Sequence, residues 1–475
     1  MRFPNSFRIR WAIGFAVGLF IVVAVSYHFR STANLPTLTP LPQDSFIQVY
    51  FNQNQAAVYT DPYRHLTRYG DNLEQVIIDA IDSAQSSIEI AVQEFTLPGI
   101  AQALAQRHAQ GVEIKVVLEH HYSQPITLRS GDRGSDPDAY DRIKTQDLYD
   151  FIDQNQDGLL SSQELATRDA LTILDRAHID RLDDTADGSQ GSGLMHHKFM
   201  VIDGQRVITG SANWTMSCIH GDFLYPDSRG NANNLVVINS SSLARVFQTE
   251  FHYLWGDGPG DLPDSRFGLA KPNRPPVQVS LPGSVVAIQF SPTSPNQLWS
   301  QSVNGLIART IGGAQQSLNL ALFVFSDQAL SNQLWQVSKA GVTIKTLIDP
   351  GFAYRSYSEA LDMLGLVLPD YRCQLEADNQ PWPRPLETAG IPTLAKTDKL
   401  HHKFAIMDGE IVITGSQNWS QAANHSNDEN LLIIRSSRVA AHYQREFERL
   451  YRQAHLGLTP ELQSAIAKQR TLCHH

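Results

Sequence analysis

The sequence predicts an α/β protein built from two similar domains, and two observations carry that reading. The stretch "SSIEIAVQEFTLPGIAQALAQRHAQGVEIKVVLE" aligns without gaps on "QSLNLALFVFSDQALSNQLWQVSKAGVTIKTLID", with Gly111 over Gly341 at an offset of 230. Each copy runs from an alternating strand through an amphipathic helix to a second strand. That order is a βαβ unit, which implies a mostly parallel sheet covered by helices. The second observation is that "MHHKFMVIDG", Met195 to Gly204, returns as "LHHKFAIMDG" at an offset of 205. Further on, "NNLVVINSSSLARVFQTEFHYLW" lies over "ENLLIIRSSRVAAHYQREFERLY", so Leu235 matches Leu431 and Phe251 matches Phe447. Each half therefore reads as a complete domain, and 475 residues that are 42% hydrophobic suffice for two cores.

Taken in order, residues 1–30 read as a membrane anchor. The run from Trp11 to Phe29 is 19 residues without a full charge, long enough to span a bilayer, and Arg2, Arg8 and Arg10 precede it. The positive-inside rule then leaves the N-terminus cytoplasmic and the two domains on the extracytoplasmic side of a single-pass protein. A cleaved signal peptide, with Ala24 and Ser26 near the cut, is the alternative, but the apolar run exceeds the usual length. A Pro-rich tether (31–45) leads into the first domain (46–256). A Pro- and Gly-rich linker (257–283), the second domain (284–456) and a C-terminal tail (457–475) follow. Three cysteines, Cys218, Cys373 and Cys473, leave at least one unpaired within the chain.

The first domain carries an insertion. From Glu119 to His196 is 77 positions, whereas the matching interval from Asp349 to His401 is 52. Within the extra chain, at about 141–176, "DQNQDGLLSSQE" resembles an EF-hand calcium loop. Asp153, Asn155 and Asp157 stand at loop positions 1, 3 and 5, and Gly158 permits the sharp turn. Leu159 would offer its carbonyl, Ser161 would act through water, and Glu164 would supply two oxygens. The competing reading is a solvated loop in which Ser161 and Glu164 form only a helix capping box. With no second such loop, the expected calcium is structural rather than a sensor. His120 and His121, after the strand "VEIKVVL", are read as lying outside the site.

The chemistry lies in the repeated motif. On a strand, His196 and Lys198 share one face while His197 and Phe199 take the other. Asp203-Gly204 signals a two-residue hairpin, which would pair Ile202 with Gln205 and bring Gly210, Ser211 and Asn213 level with His196 and Lys198. Such a cluster lacks the acidic oxygens of a magnesium or calcium site, so catalysis needs no metal of its own. It offers several donors to an oxyanion and one nucleophilic nitrogen, as a phosphate site does. A lone His-x-Lys is usually a core histidine beside a snorkelling lysine. The second copy, with His401, Lys403, Gly415, Ser416 and Asn418, changes that weighting.

His-x-Lys-x4-Asp followed by Gly-Ser-x-Asn, twice in one chain, resembles the phospholipase D superfamily over roughly 46–256 and 284–456. The resemblance implies two phospholipase D-like α-β-α domains in a pseudo-two-fold arrangement, with both clusters in one cleft. It implies a two-step reaction at a phosphodiester: one motif histidine attacks phosphorus, the other protonates the leaving alcohol, and water releases the phosphohistidine. Lys198, Lys403, Asn213 and Asn418 would then hold phosphoryl oxygens, supported by Ser211 and Ser416. Asp203 and Asp408, an odd seven residues past each histidine, fall at the hairpin and read as structural. In "NDENLL" the family pattern places a carboxylate, Glu429, where the first copy, "NANNLV", has Asn233. Pairing by motif position assigns Glu429 to His401. A carboxylate favours the imidazolium, so this expectation makes His401 the general acid and His196 the nucleophile.

The net charge of −10 disfavours a general nucleic-acid binder, although not a local basic cleft. Three readings remain. The first is a membrane-anchored enzyme that hydrolyses, or transfers to an alcohol, the phosphatidyl groups of phospholipids. The second is an exported endonuclease of the same superfamily, with nucleic acid as substrate. The third is a non-catalytic calcium-dependent adhesion or scaffold protein, against which two intact motifs argue. The acidic charge and the anchor favour the lipid, and the sequence shows no obligate protein partner.

Overall fold

The computed structural model describes residues 38–129, 139–189, 193–260 and 262–473. The expected anchor, 1–30, lies outside these residues, and among the described residues no helix is long and apolar enough to cross a membrane. The first half forms a seven-stranded sheet from β1 (Ile47–Phe51), β2 (Ser87–Val92), β3 (Glu113–Leu118), β4 (Asp180–Asp183), β5 (Lys198–Ile202), β6 (Arg206–Gly210) and β7 (Asn234–Asn239). Their order is β1-β7-β6-β5-β2-β3-β4. The second half repeats it with β8 (Val277–Leu281), β9 (Ser284–Phe290), β10 (Ser317–Leu322), β11 (Thr343–Ile348), β12 (Ala389–Ile391), β13 (Lys403–Met407), β14 (Ile411–Gly415), β15 (Asn430–Arg435) and β16 (His455–Leu456). The order there is β8-β9-β15-β14-β13-β10-β11-β12-β16.

The sheets are mixed, not mostly parallel. Only the βαβ units and the strands after them, β2-β3-β4 and β10-β11-β12, run parallel. The motif strands return as hairpins and so pair antiparallel. Two boundaries also move. β8 falls inside the expected linker and pairs with β9, because "VQVSL" alternates as a strand does. The expected tail carries helix Pro460–Cys473, with Leu462 buried and Cys473 bonded to Cys373 across a sequence separation of 100. Cys218 is free and buried.

Alternation along the strands decides which core each residue joins. Ile88, Ile90 and Val92 pack with the helices of the first half, Leu73–Asp82 and Pro98–Ala109, on its outer face. Phe199 and Val201 face the other way and meet Phe404 and Ile406 of the second half in one shared core. Two helices at equivalent positions, α1 (Ser241–Trp255) and α2 (Ser437–Tyr451), supply Phe247, Phe251, Tyr443 and Phe447 to that core. The two sheets thus sandwich a common layer, which fixes one half against the other.

Candidate active site

The hairpin after each motif differs from expectation by one residue. Gln205 N–H closes the turn on Ile202 C=O at 2.9 Å, with Asp203 and Gly204 at φ of +51° and +59°. The strands then pair Ile202 with Arg206, because the Gln205 carbonyl is taken by Ser240 N–H at 2.9 Å. Asp203 lies at the far end of the strand from His196. Its carboxylate accepts from the backbone N–H groups of Gln85, Ser86 and Ser87 and from the Ser86 hydroxyl. Asp408 likewise accepts from Gln315, Gln316 and Ser317. Neither carboxylate joins the motif histidines and lysines; each secures the start of the neighbouring strand.

The remaining motif residues converge where the halves meet. His196, Lys198, Ser211 and Asn213 are buried, as are His401, Lys403, Ser416 and Glu429. The contacts cross the interface in matched pairs. His196 N–H donates to Asp428 C=O at 3.0 Å, and His401 N–H to Ala232 C=O at 3.1 Å. The side chains cross in the same way: His196 Nδ1 lies 2.7 Å from Glu429 Oε2, and His401 Nδ1 lies 2.9 Å from Asn233 Oδ1. The expected pairing of Glu429 with His401 is therefore overturned. Each partner residue stands just before a strand, in a segment that runs beside the other half's histidine, so position in the motif repeat misassigns both.

Hydrogen bonding fixes the tautomer of His401. Asn233 Nδ2 donates to Cys218 C=O and Asn231 C=O at 2.9 and 3.1 Å, so its oxygen faces Ser211 and His401. An amide oxygen only accepts, so Nδ1 of His401 carries a hydrogen and Nε2 is the reactive nitrogen. Burial, then the Lys198 and Lys403 charges, hold His196 well below its ordinary range. Burial and the same two lysines act on His401 in that direction. Burial also pushes Glu429 up to about 7, against the pull of Lys198, and brings Lys198 down to about 7. Lack of solvent pushes all five groups toward neutrality, and an anion bound between the two lysines would favour the charged forms of the lysines and imidazoles.

Lys198 Nζ donates to His196 C=O at 2.7 Å and to Gln93 Oε1 at 3.1 Å, and Lys403 Nζ donates to His401 C=O at 2.8 Å. Gln93 also accepts from Asn213 at 3.3 Å. Sequence reasoning passed over Gln93, although a polar residue closing a buried strand, opposite Phe323 in the repeat, was a signal. It also passed over Glu250 and Glu446, buried acids at equivalent places on α1 and α2. They hold Nε2 of His197 and His402 at 3.3 and 3.0 Å.

The calcium-type loop lies away from this cluster, between helices Ala139–Ile152 and Ser162–Arg168. Asp153 accepts from Asp157 and Gly158 N–H at 3.3 and 2.9 Å, with Gly158 at φ +79°. Glu164 accepts from the hydroxyl and N–H of Ser161 and from Asn155 and Gln154 N–H, which bring its carboxyl down to about 2. The capping box is present, and Asn155 Nδ2 donates to Asp157 Oδ2 at 3.0 Å in the same turn. Helix Ala139–Ile152 also walls a cavity of about 240 Å³ that includes Thr215, Asn231 and Lys399, each two residues from Asn213, Asn233 or His401.

The family model described as "Cardiolipin synthase, PLD-like domain" matches residues 77–255 and 307–451. Mitochondrial cardiolipin hydrolase of Xenopus laevis is 32% identical over 143 residues, 30% of this chain and 57% of that protein. The Homo sapiens protein of that name is 30% identical over 155 residues, 32% of this chain and 52% of that protein. The chain thus spans about half the length of these relatives. The crystal structure of phosphatidylserine synthase from Haemophilus influenzae Rd KW20 shares the fold over 93% of this chain and 96% of that one, at a TM-score of 0.53 and 14% identity. With both halves matched and their motif residues gathered into one cluster, the chain belongs to the cardiolipin synthase, PLD-like domain family and carries that domain twice.

Proposed function

We propose that the protein is a phospholipase D-type phosphodiesterase that cleaves, and transfers to alcohols, the phosphatidyl groups of phospholipids. The observation that carries this reading is the crossed pair, His196 on Glu429 and His401 on Asn233, beside two buried lysines. The charge of the bound phosphodiester favours the imidazolium of His401, which takes up a proton at Nε2 as substrate binds. Nε2 of His196 then attacks phosphorus while the bond to the leaving alcohol breaks, and Nε2 of His401 gives that oxygen its proton. Water or an acceptor alcohol then loses a proton to His401 as its oxygen attacks phosphorus, and the P–N bond breaks to restore His196. The carboxylate suits His196 because it offsets the positive charge gained by the phosphorylated ring. The neutral amide suits His401 because it leaves the imidazolium a stronger acid. The roles are those expected from sequence, but the reason given there, that a carboxylate favours the imidazolium, falls with the expected pairing. The assignment rests instead on the charge of the phosphorylated ring and the strength of the acid.

The lipid reading rests on relatives named for cardiolipin hydrolysis and on the apolar run 11–29, read as an anchor with the catalytic domains on the extracytoplasmic side. The test presents the purified protein with mixed phospholipid vesicles and, separately, with single- and double-stranded DNA. Lipid turnover should dominate, and added primary alcohol should yield a phosphatidyl alcohol. DNA cleavage without lipid product would install the nuclease reading instead. The loop Asp153–Glu164 holds a structural calcium ion outside the chemistry, with affinity on the order of 10⁻⁴–10⁻³ M. Glu164→Gln should abolish calcium-dependent melting, and an unchanged shift would remove the site.

A further inference from the structure

Beyond the phosphate cluster and the calcium loop, a third group of ligating side chains stands at the end of β3. Glu119 Oε1 lies 2.8 Å from Nδ1 of His121 and 2.9 Å from Nδ1 of His120, and His120 Nδ1 lies 3.0 Å from Asp184 Oδ1. Glu119, His120 and His121 can each turn one ligand atom to a common point, all within 4.8 Å of one another. Tetrahedral zinc, with bonds of about 2.0–2.1 Å, spaces its ligand atoms roughly 3.3 Å apart, so an ion would need these atoms to spread by only a few tenths of an ångström.

Two observations point to a ligand rather than to local capping. Asp184 is 0% exposed, and its Oδ2 has no hydrogen-bond partner among the described residues. Such an orphaned buried oxygen is costly unless something positive meets it. The second half, moreover, manages the same turn without histidines. There Asp349 takes the place of Glu119, accepts from Gly351 and Leu400 N–H at 2.8 Å each, and is followed by Pro350 and Gly351. The fold thus needs no imidazole at this corner.

We infer that Glu119, His120, His121 and Asp184 form a binding site for a borderline divalent transition metal, zinc by preference, distinct from the calcium loop. Two imidazoles with two carboxylates select zinc over calcium, whose sites are built of oxygen alone. The site reaches toward the phosphate cluster: Glu119 N–H donates to Gln93 C=O at 3.3 Å, and the Gln93 side chain receives Lys198. A bound ion would anchor the end of β3 next to the residue that positions that lysine.

The test uses the full chain in detergent, stripped of metal with a chelator and titrated with Co²⁺ and then Zn²⁺. One equivalent of Co²⁺ should give d–d absorption of tetrahedral intensity, displaced by Zn²⁺ and retained in Glu164→Gln. His120→Ala/His121→Ala should weaken zinc binding at least 100-fold. His121→Ala alone, at a side chain 70% exposed and therefore safe for folding, should weaken it at least tenfold with circular dichroism unchanged. No tetrahedral cobalt spectrum in the parent protein, or the same spectrum and affinity in His121→Ala, would overturn the site.

Discussion

The two halves meet the site with matching motif residues and unmatched neighbours. His, Lys, Ser and Asn recur at a constant offset, but Gln93 in the first half faces Lys198 where Phe323 in the second packs over Lys403 at 4.8 Å. Asn233 stands where the other copy has Glu429, and the first half alone carries the inserted helices and the Glu119–His120–His121 corner. The motif residues are shared, whereas the partners of the two histidines are not. On the proposed mechanism, the unmatched partners are what would distinguish the nucleophile from the acid.

The largest expected effect breaks the symmetry outright. With a substrate whose leaving group needs no proton, His401→Ala should still form the phosphoenzyme, while His196→Ala should lower its formation by at least about 10³-fold. Trapping the intermediate on His401 instead would exchange the two roles. Next come the partners. Glu429→Gln keeps the shape and removes the charge beside His196, and should cost on the order of 10²- to 10³-fold in kcat. Asn233→Ala removes a neutral acceptor worth roughly 1–1.5 kcal/mol, about tenfold in rate. Equal losses would mean that the carboxylate only orients its ring.

The smallest effect concerns the two aspartates, which should act alike. Asp203→Ala or Asp408→Ala should cost about 1–2 kcal/mol of stability, kept to the low side by partial exposure, with kcat unchanged. Although burial opposes it, backbone donors hold both carboxyls below their ordinary range. Their contribution is therefore present above the unfolded pKa of about 3.9 and is lost as pH falls through the folded value. Denaturant melts at pH 7 and pH 3 should show the mutational cost shrinking at the lower pH. A large drop in kcat with intact stability would move these residues into the chemistry.

Much of this was legible because repetition is a local signal: aligned blocks gave two α/β domains, and the motif named most of the residues that the fold brings together. The crossed partners were hidden, since Glu429 lies 233 positions from His196 and Asn233 lies 168 from His401, with no local pattern linking them. Strand direction was misjudged because periodicity marks a strand without saying which way its neighbour runs. Glu250 and Glu446 escaped notice because an acid on an apolar helix face reads as a solvated charge until the histidine beneath it is seen.

The crossed wiring also limits how the molecule can move. Asn234 Nδ2 donates to the Tyr443 hydroxyl at 2.8 Å, and the Thr209 hydroxyl donates to Asn430 Oδ1 at 3.1 Å, beside the two histidine bonds and a common core. A clamshell opening would strip both histidines of their partners in one motion and leave buried polar groups bare. Substrate and product must therefore pass while the two halves stay shut. At the rim, helix Ala139–Ile152 of the first half borders the cavity lined by Thr215, Asn231 and Lys399, an opening beside the motif residues that a shut pair of halves would leave in use on the proposed reading.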